Sequence, residues 1–183
     1  SSSSSSSAQS SRAAQKDTEK TKQRLLSSLP VVPFDPENTT KFPENSYHIG
    51  KFVVLSRVQQ QHNKFCVIEL HTGIEYHEVV EQKTLSISDY RFGVHVDQME
   101  SDQGQKKIWK EKRVYRVFTQ SGDTSNLDHT KQQKSTLKEC RYVQSIADAE
   151  LLFAALYDQH IAQGYQQVKT LSQRCGSDRA RAL

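Results

Sequence analysis

The side chains in this sequence that are able to bind a metal ion or transfer a proton are seven histidines, three cysteines and scattered carboxylates. His71 and His77 lie six positions apart, and no Cys/His or paired-carboxylate set recurs at the spacing of a metal site or catalytic dyad. We interpret the glutamates between 75 and 81 as a solvated acidic patch and His160 as a packed or boundary residue of a helix. Since a glycine-rich phosphate loop is also missing, we expect no catalytic residue, metal site or cofactor.

The cysteines Cys66, Cys140 and Cys175 are too far apart to form a Cys-x-x-Cys zinc motif. An odd number of cysteines without an apolar signal segment is typical of the reducing cytosol or nucleus. Cys66 lies within an apolar, strand-like run. We therefore interpret it as a small core residue rather than as a reactive thiol.

The net charge of +4 over 183 residues is unevenly distributed along the chain. Residues 64–104 include 3 basic and 8 acidic side chains, whereas residues 105–141 include 10 basic and 4 acidic ones. The basic stretch is compatible with binding to a phosphate backbone and equally with a solvated, lysine-rich loop. No run of 18 apolar residues occurs, so we expect no transmembrane span.

The elements that position these side chains are organised around residues 65–70, a run of apolar and aromatic residues interrupted by one glutamate. This composition predicts a mostly buried strand, which we expect to end at residues 71–73. Residues 52–55 predict a second strand, close enough in sequence to pair with the first in antiparallel fashion. Residues 113–119 predict another strand, and residues 120–134 show no periodicity and predict a loop.

The best-marked helix extends from 147 to about 163. Ser145 is its predicted N-cap, with Asp148 three residues further on as in a capping box, and Gly164 is the predicted C′ residue. One face of the helix is apolar and is able to lie on a sheet; it carries Ala149, Leu152, Phe153 and Leu156. The sequence therefore predicts an α+β fold, in which one long C-terminal helix packs on a small, twisted antiparallel sheet.

The two ends of the chain are poor in large apolar residues. Residues 1–29 are rich in serine and cannot bury enough apolar surface to offset the entropy of ordering, so we expect a disordered tail with a helical turn around 19–26. We also expect residues 169–183 to be disordered. The folded domain is predicted at 30–168, with a long basic insertion near 106–141.

Three segments carry a resemblance to a known domain: PVVPFDPEN at 30–38, HNKFCVIEL at 62–70 and SIADAELLFAALYDQHIAQGYQQV at 145–168. Together they resemble the WGR domain of the DNA-dependent poly(ADP-ribose) polymerases. In that family a proline-containing leader, an Asn-Lys-aromatic strand and a closing helix follow one another in this order. The resemblance extends over residues 30–168 and is closest at its two ends.

The family's Trp-Gly-Arg motif has two candidate counterparts. Arg91-Phe92-Gly93-Val94 keeps an arginine, an aromatic residue and the glycine, and Gly104-Gln105 follows it as a Gly-Gln pair does in the family. Gln120-Ser121-Gly122-Asp123 keeps only the glycine. We prefer the first placement, in which phenylalanine replaces the tryptophan and valine replaces the second arginine.

The resemblance implies a non-catalytic module that binds DNA near a break and works together with a poly(ADP-ribose) polymerase. It assigns stacking on a sugar or base to Phe92 and phosphate contacts to Arg91, Lys106 and Lys107, with Gly93 completing the site. The implied partners are DNA with 5′-phosphorylated ends, or an ADP-ribosyltransferase or chromatin protein. The implied location is the nucleus, with the cytoplasm as an alternative.

Two other functions fit the same resemblance. The first alternative is a protein-interaction or scaffold domain that keeps the WGR fold without binding DNA. The second alternative is a fragment of a full ADP-ribosyltransferase. The replacement of the motif's tryptophan and second arginine motivates the scaffold alternative, and in a DNA-binding module it predicts weaker, less end-specific binding.

Overall fold

The computed structural model describes residues 6–38, 40–58, 63–81, 106–124, 136–168 and 176–181. They form a six-stranded antiparallel sheet with helices, so the predicted α+β class is confirmed. The strand order in the sheet is β1-β5-β4-β3-β2-β6. In chain order the elements are α1 (Ser6–Ser28), β1 (Val32–Pro33), β2 (His48–Val58), β3 (Asn63–Glu81), β4 (Lys106–Asp123), β5 (Leu137–Val143), α2 (Ile146–Ala162), β6 (Gln166–Gln167) and α3 (Asp178–Arg181).

Strands β2 and β3 pair as the two apolar runs predict. Val54 lies opposite Val67 and Leu55 lies opposite Cys66 in antiparallel register. The predicted end of the strand at residues 71–73 is wrong, because β3 continues without a break to Glu81. The predicted loop after residue 119 is also wrong at its start, because residues 120–123 belong to β4, while residues 125–135 lie outside the described structure.

The two faces of the sheet carry different side chains, because successive residues of a strand point to opposite sides. Along β3, Cys66, Ile68 and Leu70 join the main apolar core. Leu25 of α1 and Leu152 of α2 pack in the same core, so both helices lie on this face. The opposite face carries the alternate residues of β3, which are Phe65, Val67, Glu69 and His71.

Helix α2 forms where the sequence predicts it. The side chain of its N-cap, Ser145, accepts a hydrogen bond of 3.1 Å from the backbone N–H of Asp148. Gly164 follows the helix with a φ of +89°, a left-handed conformation that glycine adopts without steric cost. The predictions for the helix, its N-cap and its C′ glycine are therefore confirmed.

Helix α1 occupies residues for which the sequence predicts a disordered tail with one helical turn. Its C-terminal half provides the reason for the difference. Leu25 is 6% exposed in the core, Leu26 packs at the edge of the core, and the Lys22 ammonium donates to Asp158 of α2 at 2.6 Å. Tertiary contact with α2 thus stabilises a helix whose composition alone does not support it.

The second predicted tail, residues 169–183, also differs from the expectation in its described part. Residues 176–181 are described, and they include the short helix α3. Gly176 is buried and Ser177 is 6% exposed, because both contact the sheet. The remaining residues of this predicted tail lie outside the described structure.

The chain divides into two compact units, residues 1–73 with 113–183, and residues 74–112. In the second unit the described residues are the end of β3, 74–81, and the start of β4, 106–112. We call these two neighbouring strand segments the ribbon. The predicted basic insertion near 106–141 is therefore divided, in its described part, between the ribbon, the rest of β4 and β5.

Within the described residues, no helix is both long enough and apolar enough to cross a lipid bilayer.

The packing of α1 generates a stability prediction. Replacing Leu25 by alanine removes a buried side chain from the core, and we expect the free energy of unfolding to fall by about 2–4 kcal/mol. Lys20→Ala, on an exposed position of the same helix, is the control and should change it by less than about 0.5 kcal/mol. Urea denaturation followed by circular dichroism measures both, and equal effects of the two substitutions would show that α1 does not pack as described.

Candidate functional site

The residues predicted to bind nucleic acid are only partly covered by the structure. Arg91, Phe92 and Gly93 lie outside the described residues. Lys106 and Lys107 are the first two residues of β4, and their side chains are likewise outside the description. The five assignments therefore remain predictions.

The alternative motif placement, residues 120–123, lies at the end of β4. Gln120 is paired with Lys138 of β5 and is 6% exposed. Its side-chain oxygen accepts a hydrogen bond of 3.0 Å from the backbone N–H of Gly176. The side chain of Gln120, the first residue of this placement, is thus buried and hydrogen-bonded within the protein, and it does not face a ligand.

The ribbon exposes two large aromatic side chains. Trp109 is 65% exposed and Tyr76 is 60% exposed. Such rings are usually buried or placed where they contact a partner, because they combine a large apolar surface with a polar group. Both rings are accessible for stacking in the ribbon.

The described charged side chains of the ribbon are acidic on β3 and, apart from Glu111, basic on β4. Lys110 and Lys112, both exposed, lie on β4, whereas Glu75 and Glu78 lie on β3. Along β4 the two-residue alternation places Trp109 on the face opposite to that of Lys110 and Lys112. Strand β4 therefore offers Trp109 and the exposed Glu111 on one side and the cationic Lys110 and Lys112 on the other.

A chain of buried charged side chains lies on the face of the sheet opposite α1 and α2. We call Glu44, Arg116, His71 and Glu69 the buried network. Arg116, His71 and Glu69 are fully buried, and the side chain of Glu44 is 8% exposed. None of the four is positioned by its sequence neighbours alone, since 72 residues separate Glu44 from Arg116 and 45 separate His71 from Arg116.

The hydrogen bonds of the buried network start from Arg116, which donates to Glu44 on one side and to His71 on the other. The Arg116 guanidinium donates through both terminal nitrogens to the Glu44 carboxylate, one of these bonds measuring 2.8 Å, and through Nε to His71 Nδ1 at 2.9 Å. His71 Nε2 lies 2.7 Å from Glu69 Oε2. Because arginine nitrogens only donate, Nδ1 of His71 accepts and its ring proton lies on Nε2, which donates to Glu69. A neutral histidine thus separates a cation from an anion.

The surroundings of the network maintain these charge states. Burial lowers the pKa of His71, and the charge of Arg116 acts in the same direction. Together these two effects outweigh the increase in pKa that the nearby carboxylates of Glu69 and Glu44 cause. Burial alone would raise the pKa of Glu69, but the hydrogen bonds from His71 and Ser177 outweigh it and hold that pKa below the usual range of a carboxyl.

Aromatic rings enclose the network and exclude water. The Arg116 guanidinium carbon lies 4.1 Å from the ring centroid of Phe42 and 5.0 Å from that of Tyr47. The His71 ring stacks between Tyr47, at 4.4 Å, and Phe118, at 5.7 Å. With residues 176–181 in place, the network offers no open face to a substrate. It also holds residues 34–38 and 40–47, which we call the leader, against the sheet.

The sequence carries a signal for part of this network. Glu69 and His71 alternate with Phe65 and Val67, so a polar pair continues the face of an otherwise apolar strand. A polar pair in such a position requires buried partners. Arg116, embedded in the apolar run of β4, was the available cation.

The described cysteines are buried thiols. Burial raises the pKa of Cys66 to about 12 and that of Cys140 to about 11, so neither is a thiolate at neutral pH. The interpretation of Cys66 as a core residue is confirmed by its exposure of 1%. Among the described residues, no three or more histidine, cysteine or carboxylate side chains are grouped closely enough to hold a metal ion.

Comparison with known proteins does not assign a family: no family model, curated protein or solved structure matches the chain. The resemblance to the WGR domain therefore stays a prediction that rests on the quoted segments. The function has to be argued from the ribbon and the buried network.

The protonation state of His71 generates a prediction about pH. Unfolding restores the ordinary histidine pKa of 6.5, so below about pH 7 the unfolded chain binds more protons than the folded one. We expect the free energy of unfolding to decrease as the pH falls from about 7 to 5.5, by at most about 1.4 kcal/mol per pH unit. Urea denaturation at several pH values measures this dependence.

The matched variant for this experiment is His71→Gln, which supplies a donor and an acceptor but does not titrate. Its stability should depend less on pH over the same interval than that of the original chain. Identical pH dependence in the two proteins would contradict a neutral, proton-excluding His71.

Proposed function

We propose that this chain is a WGR-like module that binds nucleic acid through the ribbon. The observation that carries the proposal is the exposed ring of Trp109, next to the exposed lysines Lys110 and Lys112 on the same strand. The module is proposed to be non-catalytic, to work with an ADP-ribosyltransferase and to act in the nucleus, as the resemblance implies.

The physical basis of the proposal is the pairing of stacking with charge neutralisation. Stacking of a base on an aromatic side chain contributes about 1–3 kcal/mol and requires an accessible ring face. Lysines near phosphates release condensed counterions, which makes the affinity decrease with salt concentration. Since Trp109 and the lysines lie on opposite faces of β4, both sets make contact when the strand lies between an unpaired base, which offers its face to the ring, and a phosphate backbone.

The residues taken from the WGR resemblance extend the same surface along the chain. Lys106 and Lys107 begin the strand that carries Trp109, Lys110 and Lys112. We propose that these four lysines and Trp109 contact the same nucleic acid from the two faces of β4, and that Arg91, Phe92 and Gly93 add a further contact, as the motif does in the family.

A specific observation supports a protein-interaction domain as the second candidate. The β3 side of the ribbon carries Glu75 and Glu78, which repel phosphate, and Glu111 lies on β4 itself. A ribbon with acidic and basic strands side by side complements a protein surface of mixed charge. On this alternative the chain keeps the WGR-like fold and serves as a scaffold.

The ribbon proposal predicts the effect of removing the indole. Trp109→Ala should weaken binding to a fluorescent DNA about 5- to 100-fold, since one stacking interaction is lost. Leu137→Ala, at a position that is 57% exposed on β5, is the control and should leave the affinity unchanged. Fluorescence anisotropy with a 5′-phosphorylated duplex, the same duplex with closed ends, and a single strand measures affinity and identifies the preferred end structure.

The charge part of the proposal has its own variant. Lys110→Gln with Lys112→Gln should weaken binding and reduce the slope of log affinity against log salt concentration by about 2, if each lysine contacts a phosphate. Lys16→Gln with Lys20→Gln, on exposed positions of α1, removes the same charge elsewhere and should leave the slope unchanged. Absence of any salt-dependent association with all three DNAs would exclude the nucleic-acid proposal and favour the scaffold.

A further inference from the structure

The segment of residues 176–181, which we call the C-terminal segment, is bound to the sheet by a specific set of contacts. The backbone N–H of Ser177 donates to Glu69 Oε1 at 2.8 Å, and the backbone N–H of Gly176 donates to Gln120 Oε1 at 3.0 Å. Two buried side-chain acceptors on neighbouring strands therefore bind two successive N–H groups. These acceptors are 108 and 56 residues away in sequence, so the contacts are those of a peptide docked on a distant surface.

The first position of the segment favours glycine. Gly176 has a φ of +93°, and a Cβ atom there would lie 2.5 Å from Glu69 Oε1. A side chain at this position would thus be both conformationally strained and in collision with the carboxylate. The site discriminates by shape at this residue.

The fourth position is bound through its charge. The Arg179 guanidinium donates to the backbone carbonyl of Asn45 at 2.6 Å and lies 4.8 Å from the ring centroid of Tyr47. Both contacts come from the leader. The backbone N–H of Ala180 donates to the Ser177 hydroxyl at 3.3 Å, which keeps the segment in the turn that brings Arg179 to Tyr47.

The buried network also holds this surface through contacts that do not involve the segment. His71 binds Glu69 through Oε2 and leaves Oε1 directed at the segment. Arg116 binds both His71 and Glu44, and Tyr47 stacks on His71, so the acceptor and the aromatic ring are held by the same contacts. A surface that is organised in advance loses little entropy when it binds a peptide.

We infer that Glu69, Gln120, Tyr47 and the Asn45 carbonyl form a recognition site for peptides with the sequence Gly-Ser-x-Arg, which the chain's own C-terminal segment occupies. A partner that presents this sequence binds at the same place once the internal segment is displaced. The inference is independent of nucleic-acid binding by the ribbon, because it concerns other residues.

The test uses the full chain with the substitution Gly176→Ala, which prevents the internal segment from docking. The probe is a fluorescent, N-acetylated peptide of sequence Gly-Ser-Asp-Arg-Ala-Arg, which reproduces residues 176–181. We expect the variant to bind this peptide at least about tenfold more tightly than the original chain does, since its site is vacated. Peptides with alanine in place of the glycine, or of the first arginine, should bind the variant at least about tenfold more weakly.

A second variant, Arg179→Ala, removes an exposed side chain and leaves the core untouched, so it tests the inference even if Gly176→Ala does not fold. It should also gain affinity for the peptide. Circular dichroism and urea denaturation show which variants are folded. Failure of folded variants to bind the peptide, or equal binding of the peptide with alanine in first position, would overturn the inference.

Discussion

The guanidinium of Arg116 is the group on which the arrangement of the leader, the sheet and the C-terminal segment depends. A buried cation is tolerated only if its donors are satisfied and its charge is balanced, because desolvation costs several kcal/mol. Glu44 supplies the balance and His71 the remaining acceptor. Both come from distant parts of the chain, so satisfying one side chain draws the leader onto β3 and β4. The position of Glu69, and through it that of Ser177, follows from the same set of bonds.

The elements with a local signal were predictable from sequence. The apolar runs of β2 and β3 and the cap residues Ser145 and Gly164 of α2 act over a few residues, and they form as predicted. Helix α1 was not predictable, because its stability comes from the contact of Leu25 and Lys22 with a helix more than 100 residues later. Composition reports how much apolar surface a segment has, but it does not report whether a partner is available to cover that surface.

The candidate sites were predictable to different degrees. The basic character of β4 was visible in the sequence, but the exposure of Trp109 was not, because a tryptophan between lysines is compatible with a core or a surface position. The buried network was missed because its members are far apart in sequence. Alternation places Glu69 and His71 on one face of β3, but it does not pair them with Arg116 or Glu44. What identifies the network is the meeting of Glu69, His71 and Arg116 on one face, which only the three-dimensional arrangement shows.

Helix α1 has a consequence for the dynamics of the molecule. Its contacts with α2 come from the C-terminal half, around Lys22 and Leu25, whereas residues 15–20 are exposed to solvent. Segments held by few buried contacts open with a lower free energy than the core, in cooperative units that hydrogen exchange resolves. The amides of residues 15–20 therefore exchange through local fraying, whereas those of β3, whose side chains are buried from Phe65 to His71, exchange only when the sheet itself opens. We therefore expect residues 15–20 of α1 to open and close more often than the sheet does, while the C-terminal half of the helix stays packed through Leu25.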